Sequence, residues 1–86
     1  MTNSVDVTAS TCASMLRMGR TWCKLGKLSQ AEDTYLRLIQ EHPDTPEAES
    51  AQRDLLAIAE GFEAEGRYHL AIDILDRLGK TAVVSV

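Results

Sequence analysis

Four groups of residues in this chain are of types that do chemistry elsewhere: Cys23 beside Lys24, His69 four positions before Asp73, His42 beside Pro43, and the carboxylates Glu60, Glu63 and Glu65. A cysteine next to a lysine can be a nucleophile, because nearby positive charge favours the thiolate. A thiol enzyme also needs a general base and an oxyanion hole, and one adjacent lysine supplies neither. His69 and Asp73 would meet across one helical turn as a hydrogen-bonded surface pair. His42 stands where a cation suits the negative end of a helix dipole. The three carboxylates have the spacing of a solvated helix end, without the apolar pocket that would raise a carboxyl's pKa for acid–base work. Cys12 and Cys23 have neither C-x-x-C pairing nor histidine partners at ligand spacing, so they read as reduced thiols. "LRMGR" and "KLGK" each hold one glycine and fall short of a phosphate loop. The expectation is no catalytic residue, no metal site and no cofactor, with a small thiol-dependent enzyme using Cys23 as the remaining catalytic alternative.

The elements that would position any such groups are bounded by size and charge. At 86 residues and 44% hydrophobic content the chain suits one small domain with a packed core and no deep cavity. Its net charge of -4 gives phosphate backbones no general electrostatic reason to bind, so nucleic acid is not an expected partner. The opening "MTNSVDVTAS" has neither a basic start nor an apolar stretch of signal length, and no run reaches the ~18 apolar residues of a membrane span. A cytoplasmic location is the default expectation; a cell-envelope location would follow if a targeting segment had been removed.

Apolar residues recur at helical spacing almost throughout. Met15, Met18, Trp22 and Leu25 form a first stripe, and Leu28, Ala31, Tyr35, Leu38 and Ile39 a second. Ser29 with Glu32 predicts a capping box at the start of the second helix, and Pro43 predicts its end. "DTPEAE" announces a third helix: Thr45 as cap, Pro46 at the first helical position, and Glu47 and Glu49 at the positive end of the dipole. Its stripe is Ala48, Ala51, Leu55, Ile58, Ala59 and Phe62. A fourth stripe, Tyr68, Ala71, Ile72, Leu75 and Leu78, is predicted to end at Gly79. The tail "TAVVSV" is short and β-prone, and is expected to be frayed or an added edge. Segments 1–11 and 80–86 are accordingly expected to be a flexible start and a tail.

The two halves superpose. Gly26 and Gly66 stand 40 positions apart, and so do Met15 and Leu55, Met18 and Ile58, Trp22 and Phe62, Ala31 and Ala71, Tyr35 and Leu75, and Leu38 and Leu78. One helical hairpin occurs twice, which is the signature of an array in which each hairpin buries its stripe on the next.

Met18, Gly19, Trp22, Gly26, Ala31, Tyr35 and Pro43 resemble the pattern of the tetratricopeptide repeat: apolar, small, aromatic, turn glycine, alanine, aromatic, late proline. The second copy keeps Ile58, Ala59, Phe62, Gly66 and Ala71, but has Leu75 for the aromatic and Val83 for the proline. The resemblance covers about residues 12–79 and implies an all-α fold of two antiparallel helical hairpins, four helices stacked as a short α-solenoid, with repeats at 12–45 and 46–79. The spacing is longer than the family's ~34 residues, the extra length falling in "HPDTPEAESAQ", and is similar to repeats of bacterial cell-envelope and assembly-factor proteins.

The resemblance also implies a function, a protein–protein interaction module that binds a peptide segment or partner helix on a concave face. It places Leu16, Arg20, Cys23 and Lys24 on that face from the first repeat, and Arg53, Leu56, Glu60 and Glu63 from the second. Such a face offers mostly cations from one repeat and carboxylates from the other. Some family members grip a terminal carboxylate with lysines and asparagines; here Leu16 takes the place of one such lysine and Arg20 that of an asparagine. The alternative is self-assembly, a homodimer through the open end of the array, because three or more repeats are normally needed for stability.

Overall fold

The computed structural model describes residues 4–81, and within them the chain is four helices: α1 Ser4–Lys24, α2 Leu28–Glu41, α3 Pro46–Ala64 and α4 Tyr68–Thr81. No strand occurs among the described residues. The fold is all-α, as the periodicity predicted. Helix packs on helix within each hairpin, α1 with α2 and α3 with α4. The hairpins join through α2 on α3, with further contacts of α1 on α3 and of α2 on α4.

The two hairpin turns have the same chemistry. Gly26 and Gly66 adopt φ of 75° and 78°, a left-handed conformation in which a Cβ would be strained. In the first turn the Lys27 N–H donates to the Trp22 carbonyl at 2.9 Å and the Gly26 N–H to the Cys23 carbonyl at 3.0 Å. In the second, Arg67 donates to Phe62 at 2.8 Å and Gly66 to Glu63 at 2.9 Å. These paired bonds satisfy carbonyls that the helix end leaves orphaned. Arg67 then lays its guanidinium 5.2 Å from the centre of the Phe62 ring.

That turn corrects the predicted start of α2. The helix begins at Leu28 with Lys27 as its cap, and no side chain caps it. The glycine turn delivers the chain into helical geometry one residue before Ser29, so the capping box does not form, and the Glu32 carboxylate is bound instead by Arg77 of α4. Thr45 caps α3 as predicted: its Oγ1 accepts from the Ala48 N–H at 3.1 Å and donates to the His42 carbonyl at 2.8 Å. Gly79 lies inside α4, which runs on to Thr81. α1 begins at Ser4, within the segment 1–11 expected to be a flexible start. The predicted tail lies, from residue 82 on, outside the described residues.

The core is Cys12, Ala31, Tyr35, Leu36, Leu38, Ile39, Ala48, Ala51, Leu55, Ala59, Phe62, Ala71 and Ile74. Ala31 and Ala71 sit where the helices meet, at 0% and 1% exposure. Leucine at either position should destabilise by roughly 1–3 kcal/mol, since added methylenes have no space between closely approaching helices. Thermal melts of Ala31→Leu and Ala71→Leu check this; an unchanged midpoint in both would remove these alanines from the crossings.

Two stripes differ from their prediction. Met18 and Leu25 of α1 are mostly exposed, and in α4 Ile74 is buried while Leu75 and Ile72 face outward. Positions 74 and 75 both satisfy helical spacing with 71 and 78. The surface offered by α3 decides between them.

Candidate functional site

Helices α1 and α3 lie side by side and enclose a groove of about 400 Å³ lined by Arg20, Cys23, Lys24, Tyr35, Asp54, Ala57 and Ile58. A second hollow of about 360 Å³ adjoins it, sharing Arg20 and Lys24 and adding Leu16, Arg17 and Glu47 among others. α1 thus presents Arg17, Arg20 and Lys24 along one side. α3 answers with Glu47 and Asp54, and with the apolar Ala57 and Ile58.

Arg20 spans the groove. Its Nε donates to Asp54 Oδ2 at 2.8 Å and its Nη2 reaches Asp54 Oδ1 at 3.5 Å, a forked ion pair between the two hairpins. The bond to Asp54 raises the guanidinium's already high pKa. Burial alone would push the Asp54 carboxyl up, but Arg20 and the Tyr35 hydroxyl together draw it below its ordinary value. An exposed pair of this kind contributes less than about 1 kcal/mol, so it orients the hairpins more than it stabilises them. Because Asp54 has a folded-state pKa lowered from that of the unfolded chain, its contribution is present above the unfolded value of about 3.9 and disappears as pH falls through the lower folded one. The melting temperature should therefore fall less steeply with acid below about pH 4 in Asp54→Asn than in the unmodified chain; equal slopes would show that the pair adds nothing.

Tyr35 forms the floor. Its ring fills the space that Gly19 leaves on α1: a Cβ built on Gly19 would lie 2.5 Å from Tyr35 Cε1. Its hydroxyl lies 3.8 Å from Cys23 Sγ. Burial, with Asp54 and Cys23 beside it, holds the phenol firmly protonated, its pKa well above the ordinary value. It is a neutral donor at the base of a charged groove.

Of the residues singled out from sequence, Leu16, Arg20, Cys23 and Lys24 come together in the two adjoining hollows. Arg53, Leu56, Glu60 and Glu63 are exposed on α3 and line neither. The reason is geometric. A 40-residue offset carries each α1 position to its equivalent on α3, but a groove between neighbouring helices is lined by the facing sides, which are not equivalent. Asp54, Ala57 and Ile58 supply the α3 side, and sequence reasoning missed them. Arg20 and Asp54 lie 34 residues apart, six short of the 40-residue offset, so the repeat register gave no signal for the pair.

The other chemical groups stay apart. Asp73 approaches Arg77 at 3.9 Å and not His69. The backbone N–H of His42 closes α2 by donating to Leu38. Both cysteines are free thiols, Cys12 fully buried. No group of three or more histidine, cysteine, aspartate or glutamate side chains that could hold a metal is found among the described residues. None of their helices is long and apolar enough to cross a membrane.

Two glycine-turned hairpins, stacked helix on helix with a groove between their first helices, define a short α-solenoid. Residues 13–45 match the family model of the tetratricopeptide repeat. That match and the four-helix arrangement fit a tetratricopeptide-like repeat protein. No curated protein and no solved structure matches it. Proteins built on this repeat generally mediate protein–protein interaction and are typically not enzymes.

Proposed function

We propose that the chain is a non-catalytic interaction module whose two repeats, 12–45 and 46–79, bind an extended or helical segment of another protein along the groove between α1 and α3. The observation that carries this reading is the groove itself, with an apolar patch from Ala57 and Ile58 beside Lys24, a cation without an ion pair among the described residues. An apolar side chain next to an acidic group would satisfy both features. Arg20 is held by Asp54, so an incoming carboxylate competes with Asp54 for the guanidinium and gains most at Lys24 and Arg17. Leu16 and Cys23 extend the contact along α1. Arg53, Leu56, Glu60 and Glu63, exposed on α3, offer the mixed continuation that a longer segment would meet.

The test uses peptides selected on the purified chain from a random display library. They are expected to be acidic with apolar anchors. Arg20→Glu combined with Lys24→Glu should lower the association rate several-fold at low salt, with little effect at high salt and no loss of helicity. Undiminished binding by the double variant at low salt would sink the groove reading.

Self-association through α4 is a second reading, favoured by the exposure of Tyr68, Ile72 and Leu75.

A further inference from the structure

We infer that Asp54 is a built-in competitor for acidic guests: its carboxylate occupies Arg20 and so tunes the groove toward a segment that offers one carboxylate, to Lys24, beside an apolar side chain. The inference rests on the groove reading and names the class of guest that this groove takes.

The groove and its adjoining hollow are lined by three cations, Arg17, Arg20 and Lys24, against two carboxylates, Glu47 and Asp54. This lining is positive in a chain whose net charge is -4, so an acidic segment is favoured here and disfavoured over most of the surface. The three cations are not equally available. Arg20 is forked on Asp54 at 2.8 and 3.5 Å, whereas Lys24 has no ion pair among the described residues. Arg17 lines only the adjoining hollow, which it shares with Glu47.

Arg20 is still within a guest's reach, because its side chain is half exposed and its Nη1 makes no bond to Asp54. What Asp54 takes from it is charge and not access. A guest carboxylate arriving there meets the Asp54 carboxylate close by, and like charges at such range repel. Displacing Asp54 is no easier. It belongs to the same chain as Arg20, so its contact carries no cost of association. Against the burial that would protonate it, Arg20 and the hydroxyl of the core-fixed Tyr35 keep it ionised.

Spacing turns this competition into selectivity. Arg20 and Lys24 stand four residues apart on α1, about 6 Å along its axis. Side chains on one face of an extended segment recur every ~6.8 Å. A guest with carboxylates at i and i+2 would therefore engage both cations if Asp54 carried no charge. With Asp54 in place the second carboxylate is a liability, and an apolar side chain, which Ala57 and Ile58 can receive in the same groove, is the better fit.

The experiment takes a peptide selected on the unmodified chain from a random display library, and copies of it carrying a second glutamate two positions to either side of the acidic residue. Each is titrated calorimetrically into the unmodified chain, Asp54→Asn, Asp54→Ser, Lys24→Gln and the double variant Asp54→Asn with Arg20→Gln. The exposed pair adds little to stability, so the variants keep the fold, which circular dichroism checks. The unmodified chain is expected to prefer the one-carboxylate peptide. Both Asp54 variants should shift the ratio of Kd values about tenfold toward one of the two-carboxylate copies, and Arg20→Gln should abolish that shift. An unchanged ratio in the Asp54 variants, or a shift that survives Arg20→Gln, would overturn the competitor role and leave the groove reading standing wherever Lys24→Gln still weakens the one-carboxylate peptide. Selection of peptides without a carboxylate, or binding indifferent to Lys24→Gln, would overturn the groove reading and this inference with it.

Discussion

Tyr35→Ala is expected to destabilise the chain by about 3–5 kcal/mol, the range for removing a buried aromatic ring. Tyr35 is 1% exposed, fills the space beside Gly19, and meets Cys23 and Asp54 at the junction of the two hairpins. Its removal opens a cavity bordered by elements of both repeats, which cannot collapse without moving one hairpin against the other. Against a total of 5–15 kcal/mol for a typical domain, the loss approaches global unfolding. Tyr35→Phe keeps the ring and removes only the hydroxyl, so its cost should stay near 1 kcal/mol. Urea denaturation of the two variants decides the matter. A loss below about 1 kcal/mol for Tyr35→Ala would mean that the junction is loosely packed and that the ring does not organise it.

The second large effect concerns Gly19 and depends on what stands opposite. In an ordinary helix, glycine to alanine gains about 1 kcal/mol. Here the new Cβ would come within 2.5, 2.8 and 3.0 Å of three atoms of the Tyr35 ring, a group fixed in the core and unable to swing aside. Gly19→Ala is therefore expected to lose about 1–3 kcal/mol. The second repeat shows how the conflict is avoided, because its equivalent positions carry Ala59 and Leu75. Introducing Gly19→Ala into a Tyr35→Leu background imports that pairing, and the penalty of the alanine should shrink or change sign. A double-mutant cycle measures this coupling directly. Additive effects would show that the two residues do not meet in solution as they do in the structure.

Legibility from sequence followed the range of the interactions involved. The start of α3 could be read because Thr45 and Pro46 act within one turn. The four helices could be read because their stripes and turn glycines are local and repeat at one offset. The start of α2 was misread because two local signals compete there, a Ser29–Glu32 box and the turn at Gly26, and the turn fixes the chain first. In α4, Ile74 and Leu75 were indistinguishable by period, and the neighbouring helix, which periodicity does not contain, chose between them. On α1 the family's pattern named Leu16, Arg20, Cys23 and Lys24, which line the two hollows, but not Arg17 beside them. Asp54, Ala57 and Ile58 were not legible, since they are set by how closely α3 approaches α1 and not by equivalence between repeats.

The junction between the hairpins is fastened twice, once in each layer. Arg20 holds Asp54 between α1 and α3, and Arg77 holds Glu32 at 3.1 Å and Asp33 at 2.9 Å between α4 and α2. Between these fasteners lies a closely packed apolar seam, in which Tyr35 fills the space beside Gly19. The stack is thus held together by packing, with the ion pairs as two clips on its opposite flanks. Salt screens exposed charges and leaves buried apolar contacts largely alone. Ionic strength is therefore expected to loosen the clips without undoing the stack.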